Sequence, residues 1–190
     1  FAAGRALARA ALAELGLPDA AIPRGSPGAS ASEARLPCWP AGVVGTISHT
    51  RRRSVEYCAV AVARSGDVLS LGLDVEVRGA VGPALRPRVL RPEELAALGA
   101  LETEQASLHA SLAFSAKEAF YKSQFPLTGR VLGFHAASVE FDLGAGTFSL
   151  TLQEDVGPRL RAGGVLQGRL AVDEDLVVTA VEIRPGAAGG

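Results

Sequence analysis

Four short segments in the last third of the chain, "ASVEFDL", "TFSLTL", "VLQGRLAV" and "LVVTAVEI", alternate apolar and polar side chains with the period of two that a strand requires. The acidic turn Asp173-Glu174-Asp175 joins the last two as a hairpin. Three helical patterns precede them. Residues 3–16 are alanine-rich, with Leu7, Ala11 and Leu15 at helical spacing and Gly16 as a stop signal. Residues 92–101 open on proline with acids in the first turn. Residues 104–124 form the longest helix, with Leu108, Leu112, Ser115 and Ala119 as its packing stripe and Pro126 and Gly129 as its end. Between them, residues 18–46 read as loop, and "VEYCAVAVA" (55–63) reads as a buried strand that forms a hairpin with the strand 68–77. Helices mixed with hairpins give an α+β fold, not a parallel doubly wound sheet. Each half carries helix and antiparallel strand, so two similar subdomains are expected, 1–80 and 81–190, with the active site at their interface. The chain opens at Phe1, already inside a helix pattern and without methionine, so upstream residues are expected.

With 190 residues, 48% of them hydrophobic and 21% charged, the chain can bury a real core. A formal net charge of −1 argues against a protein that coats nucleic acid through bulk charge. No apolar run approaches the ~20 residues of a membrane helix, and no signal peptide is visible. Cys38 and Cys58 lack metal-ligand spacing and read as reduced thiols. These observations imply a cytoplasmic protein with no membrane and no nucleic-acid partner.

The segment "LGLDVEVRG" (71–79) raises the chemical question. On a strand, Asp74 and Glu76 at i and i+2 point to one face, where like charges repel unless water or a cation lies between them. In "FSAKEAFYK", Glu118 and Lys122 at i and i+4 share a helix face, while Lys117 points about 100° away from Glu118. An exposed Glu–Lys pair is the bland explanation, worth only ~0.3–0.5 kcal/mol. Assembled together, Asp74, Glu76 and Glu118 offer the hard oxygen ligands that suit Mg²⁺, whose shell is commonly completed by substrate phosphates. Arg5, Arg9, Arg35, His49 and Lys122 are then candidate phosphate ligands. Arg51, Arg52 and Arg53 form a basic run that reads equally as a solvated loop or as a contact for phosphate or an acidic partner. His109 and His135 have no metal-ligand partners at suitable spacing, and Trp39 reads as packing.

"GLDVE" followed by "FSAKEAFYK", with "WPAGVVGTISHT" upstream, resembles the 4′-phosphopantetheinyl transferases, and within them the broad-specificity type like enterobactin synthetase component D. The resemblance runs from "GRALAR" to about residue 135. It implies transfer of the phosphopantetheine arm of coenzyme A to a serine of an acyl, peptidyl or polyketide carrier protein, with release of 3′,5′-adenosine bisphosphate. It implies Asp74, Glu76 and Glu118 as ligands of Mg²⁺, or of Mn²⁺. Lys122 would steady the leaving group, and Glu118 would serve as base, directly or through a water. Arg5, Arg9, Arg35, Ser48, His49 and Lys117 would bind coenzyme A, and the enzyme would act as a monomer. Two other functions compete: a Mg²⁺-dependent nuclease and a noncatalytic coenzyme A-binding module. The nuclease pattern places a lysine two residues after an acid, and here Glu76 is followed by Val77 and Arg78.

Overall fold

A computed structural model describes residues 2–25 and 36–186. Helix α1 (Ala2–Glu14) is followed by strands β1 (Val43–Arg52), β2 (Val55–Arg64) and β3 (Ser70–Val77). Helices α2 (Arg86–Val89), α3 (Pro92–Leu98) and α4 (Thr103–Thr128) come next. Strands β4 (Ala137–Asp142), β5 (Thr147–Leu152), β6 (Val165–Val172) and β7 (Leu176–Ile183) complete the order. The fold is α+β with two antiparallel sheets of unequal size: β1-β2, and β3-β7-β6-β5-β4.

The four strands expected in the last third are all present. The β6–β7 turn is held by Asp173, whose Oδ1 accepts the amides of Asp175 and Leu176 at 2.8 and 2.7 Å. The pairing of β2 differs from expectation. It forms its hairpin with β1, and β3 pairs instead with β7. The small-residue stretch "VVGTISHTRR" thus belongs to a strand that begins inside the expected loop. Arg51 and Arg52 end that strand and Arg53 takes the turn, with φ of 55°.

The stripe of α1 is also one position off. Gly4, Ala8 and Leu12 are buried, whereas Leu7 is exposed. Small residues let the helix approach closely: a Cβ on Gly4 would lie 2.9 Å from Ile47 and 3.3 Å from the Cys58 sulfur. Contact distance outweighed side-chain hydrophobicity in choosing the buried face. Helix α4 continues through Pro126, which removes one amide in the last turn, and stops at Gly129 in the left-handed conformation (φ 65°).

Helix α4 lies across β3 and β7, with Ala116, Ala119 and Phe120 packed on Phe148, Leu150, Val181 and Ile183. Gly72 sets how near it comes. A Cβ there would sit 1.7 Å from the Ala119 carbonyl oxygen and 2.9 Å from the Ser123 amide nitrogen. Gly72, Asp74 and Glu76 alternate onto the same face of β3, so the glycine brings α4 down onto the two acids.

Candidate active site

Strands β1 and β3 run side by side without a backbone ladder. Hydroxyls at every second residue of β1 join them instead. Thr46 accepts the Leu73 amide (3.4 Å) and Ser48 accepts that of Val75 (3.3 Å), while Thr50 donates to Glu76 (3.2 Å). Ser48 also donates to Asp74 Oδ1 at 2.9 Å. The i, i+2, i+4 hydroxyl pattern was present in the sequence, but it acquires meaning only once β1 is a strand beside β3.

Lys122 reaches this seam from α4. Its ammonium donates to Asp74 Oδ1 (2.7 Å), Ser48 Oγ (2.9 Å) and the Leu73 carbonyl (3.2 Å). Glu118, one turn earlier, is half-buried beside it. Burial pushes the Glu118 carboxyl above the usual carboxylate range; Lys122 opposes the rise, and the charges of Asp74 and Glu76 add to it. Burial and then Asp74 likewise raise Glu76, opposed by Thr50, the Val77 amide and Lys122. Glu118 therefore lies in the field of Asp74 and Glu76, and Glu76 in that of Asp74, with the Lys122 cation opposing both.

Among the described residues, no three His, Cys, Asp or Glu side chains form a ready-made metal cage. Lys122 occupies Asp74 Oδ1 instead. The donor set nonetheless fits a divalent cation. Asp74 is 3% exposed, and its Oδ2 is buried with no hydrogen-bond partner. The Glu76 and Glu118 carboxyls, each raised by burial and by the charge of Asp74, add the hard oxygen donors that such a cation would take.

His49 leaves Ser48 on the opposite side of β1. It borders a cavity of about 230 Å³ with Arg5, Arg24, Tyr57 and Cys58. Burial and then the nearby charge of Arg24 hold the Arg5 guanidinium below its usual value. Two guanidinium groups and an imidazole facing one cavity suit phosphate oxygens. Arg24 was not anticipated: it stands alone in a Pro- and Gly-rich stretch with no periodic signal.

Two expected coenzyme A ligands, Arg9 and Lys117, do not border this cavity. Arg9 is exposed and pairs with Asp19 at 2.8 Å rather than lining the cavity. Arg35 lies outside the described residues. Lys117 is buried and committed to the framework. Its ammonium donates to Glu94 Oε2 (2.6 Å) and the Val89 carbonyl (2.9 Å). Glu94 also accepts the amides of Arg91 (2.7 Å) and Val139 (2.8 Å), which ties α3, β4 and α4 together. Glu94 was another residue the sequence did not single out, since as an N-terminal helix acid it looked ordinary. Lys117 and Glu118 also border a second cavity of about 230 Å³ with Phe120, Tyr121, Leu132 and Phe134.

Of the basic run, Arg51 pairs with Glu56, and Arg52 with Asp175 in the β6–β7 turn. No helix of the described residues is long and apolar enough to cross a membrane.

A family model described as the 4′-phosphopantetheinyl transferase N-terminal domain matches residues 1–63, and one described as the 4′-phosphopantetheinyl transferase superfamily matches residues 70–181. The chain is 39% identical over 187 residues to 4′-phosphopantetheinyl transferase Svp of Streptomyces mobaraensis, covering 96% of this chain and 71% of that one. It is 36% identical over 193 residues to 4′-phosphopantetheinyl transferase Npt of Nocardia iowensis (95% and 80% covered). It is 35% identical over 190 residues to 4′-phosphopantetheinyl transferase PptT of Mycobacterium tuberculosis (95% and 77% covered). With both halves of its site described and both halves matched, the chain belongs to the 4′-phosphopantetheinyl transferase superfamily.

Proposed function

We propose that the chain transfers the 4′-phosphopantetheine group of coenzyme A to a serine hydroxyl of an acyl or peptidyl carrier protein and releases 3′,5′-adenosine bisphosphate. The observation that carries this reading is the convergence of Asp74 and Glu76 from β3 with Glu118 and Lys122 from α4, with a cavity bordered by Arg5, Arg24 and His49 across β1.

In the reaction the serine oxygen bonds to the phosphorus that bears the pantetheine arm. The bond from that phosphorus to the oxygen shared with the nucleotide phosphate breaks, and its electron pair leaves with the bisphosphate. Asp74, Glu76 and Glu118 would hold a divalent ion, Mg²⁺ or Mn²⁺, which when bound supplies positive charge to the pyrophosphate oxygens. Arg5, Arg24 and His49 would hold the nucleotide phosphates and orient the pyrophosphate toward β3. Lys122 would stabilise the charge that builds on the departing oxygen. Glu118 would take the serine proton, directly or through a water. The second cavity, bordered by Glu118 and aromatic side chains, suits the uncharged pantetheine arm. One chain supplies all these groups, which fits a monomer.

The test is mass spectrometry of mixed acyl and peptidyl carrier proteins incubated with the enzyme, coenzyme A and Mg²⁺. A mass gain of one phosphopantetheine is expected. Asp74→Ala and Glu118→Ala should fold by circular dichroism, yet lose roughly 100-fold or more in kcat/KM. Transfer at the wild-type rate by both variants would remove these acids from the mechanism.

A further inference from the structure

Lys117 and Lys122 are the only lysines of the chain; its other long cationic side chains are all arginine. Their surroundings differ. Lys117 is buried against Glu94. Lys122 is half-buried, and its three protons meet three oxygens: Asp74 Oδ1, Ser48 Oγ and the Leu73 carbonyl. That is a hard-oxygen nest of the kind a divalent cation selects. The carboxylate it pairs with is almost fully buried, where a charge left without a counter-charge is costly. An arginine would bring a rigid planar fork, whereas an ammonium is a compact charge on a flexible stem. The stem also has somewhere to go. Lys122 borders a cavity of about 290 Å³ with Thr46, Trp39, Tyr121 and Phe125.

We propose that Lys122 is a placeholder cation. Its ammonium sits on Asp74 while no divalent ion is bound, keeps the buried carboxylate in position, and leaves that oxygen when the ion arrives, which frees it for the pyrophosphate. The proposal rests on the assignment of Asp74, Glu76 and Glu118 to a divalent ion. It goes beyond that assignment by giving one side chain two positions, and it explains why the acids are gathered yet form no open cage.

The scarcity of lysine makes the test direct. The protein is labelled with an amine-acetylating reagent in chelator, in millimolar Mg²⁺, and in Mg²⁺ with coenzyme A, and Lys122 is quantified by mass spectrometry against buried Lys117. Labelling of Lys122 should be low in chelator, rise severalfold with Mg²⁺, and fall again when coenzyme A engages the ammonium. In Asp74→Asn it should be high in chelator already. In parallel, calorimetry should show Lys122→Met binding Mg²⁺ roughly tenfold more tightly than wild type, for want of the competing cation. If calorimetry records Mg²⁺ binding that Asp74→Asn abolishes, yet Lys122 labelling does not respond to Mg²⁺, the placeholder role is overturned and the transferase reading stands. If Mg²⁺ does not bind with or without coenzyme A, the metal assignment falls and the placeholder falls with it.

Discussion

Ser48 is the smallest side chain at the centre of the site, and its single hydroxyl serves three partners. It donates to Asp74 and accepts from Lys122 and from the Val75 amide. Ser48→Ala leaves each of them short of a partner, so the metal-free protein should lose about 1–3 kcal/mol, read from urea unfolding. The carboxyls around it carry a pH signature. Glu76 and Glu118 have folded pKa values above the unfolded one, which is about 4.3. Their contribution to stability is therefore complete below the unfolded value and is lost as pH rises through the raised folded values. In chelator, the urea midpoint should fall as pH rises through that window, and Glu118→Gln should flatten the slope. An unchanged slope in that variant would contradict the electrostatic account. The identity of these acids was legible because strand and helix periodicities placed Asp74 with Glu76 and Glu118 with Lys122. The partners of Ser48 were not, since they depend on which strand lies next to β1.

At the level of helices and strands, what decides the site is how closely α4 approaches β3. Gly72 fixes that distance, and Gly72→Ala places a methyl group within bonding range of the Ala119 carbonyl. The helix must lift. A loss of about 3 kcal/mol is expected on unfolding, with a further fall in kcat/KM because Glu118 and Lys122 ride on the displaced element. The other end of the device is the buried Lys117–Glu94 pair. Glu94→Ala leaves a buried ammonium without its counter-charge, held only by the Val89 carbonyl, and should cost about 3–5 kcal/mol, whereas Glu94→Met with Lys117→Met should recover much of it. A double-mutant cycle in urea measures the difference. Element types were readable from periodicity, including every strand after residue 131. Pairing was not. Nothing local in "VEYCAVAVA" says whether its partner precedes or follows it, and the chain chose the two-residue turn at Arg53-Ser54 over the turn at Gly66-Asp67. For α1, the leucine stripe misled because Gly4 and Ala8 permit a closer contact than leucine does.

Across the whole molecule, two sheets of unequal size meet where β1 runs beside β3. They are held there by hydroxyls and by the ion pair of Arg52 with Asp175. The ion pair is partly exposed and contributes under about 1 kcal/mol. Thr46→Val, Ser48→Ala and Thr50→Val together should therefore uncouple the halves. Trp39, the sole tryptophan, lies against Gly45 in β1 and reports on the smaller sheet. In wild type its fluorescence should change together with circular dichroism during unfolding; in the triple variant it should change first. Coincident curves in both proteins would mean that other contacts hold the sheets together. The hydroxyl seam has a mechanical corollary. A backbone ladder fastens two strands along their length, but side-chain tips fasten them only at points, like stitches. A diphosphate and its counter-ion lodged across such stitching would act as a rivet. Substrate should then stiffen the enzyme most at its own midline, slowing amide exchange at Leu73 and Val75 while the distant edge strand β4 is unmoved.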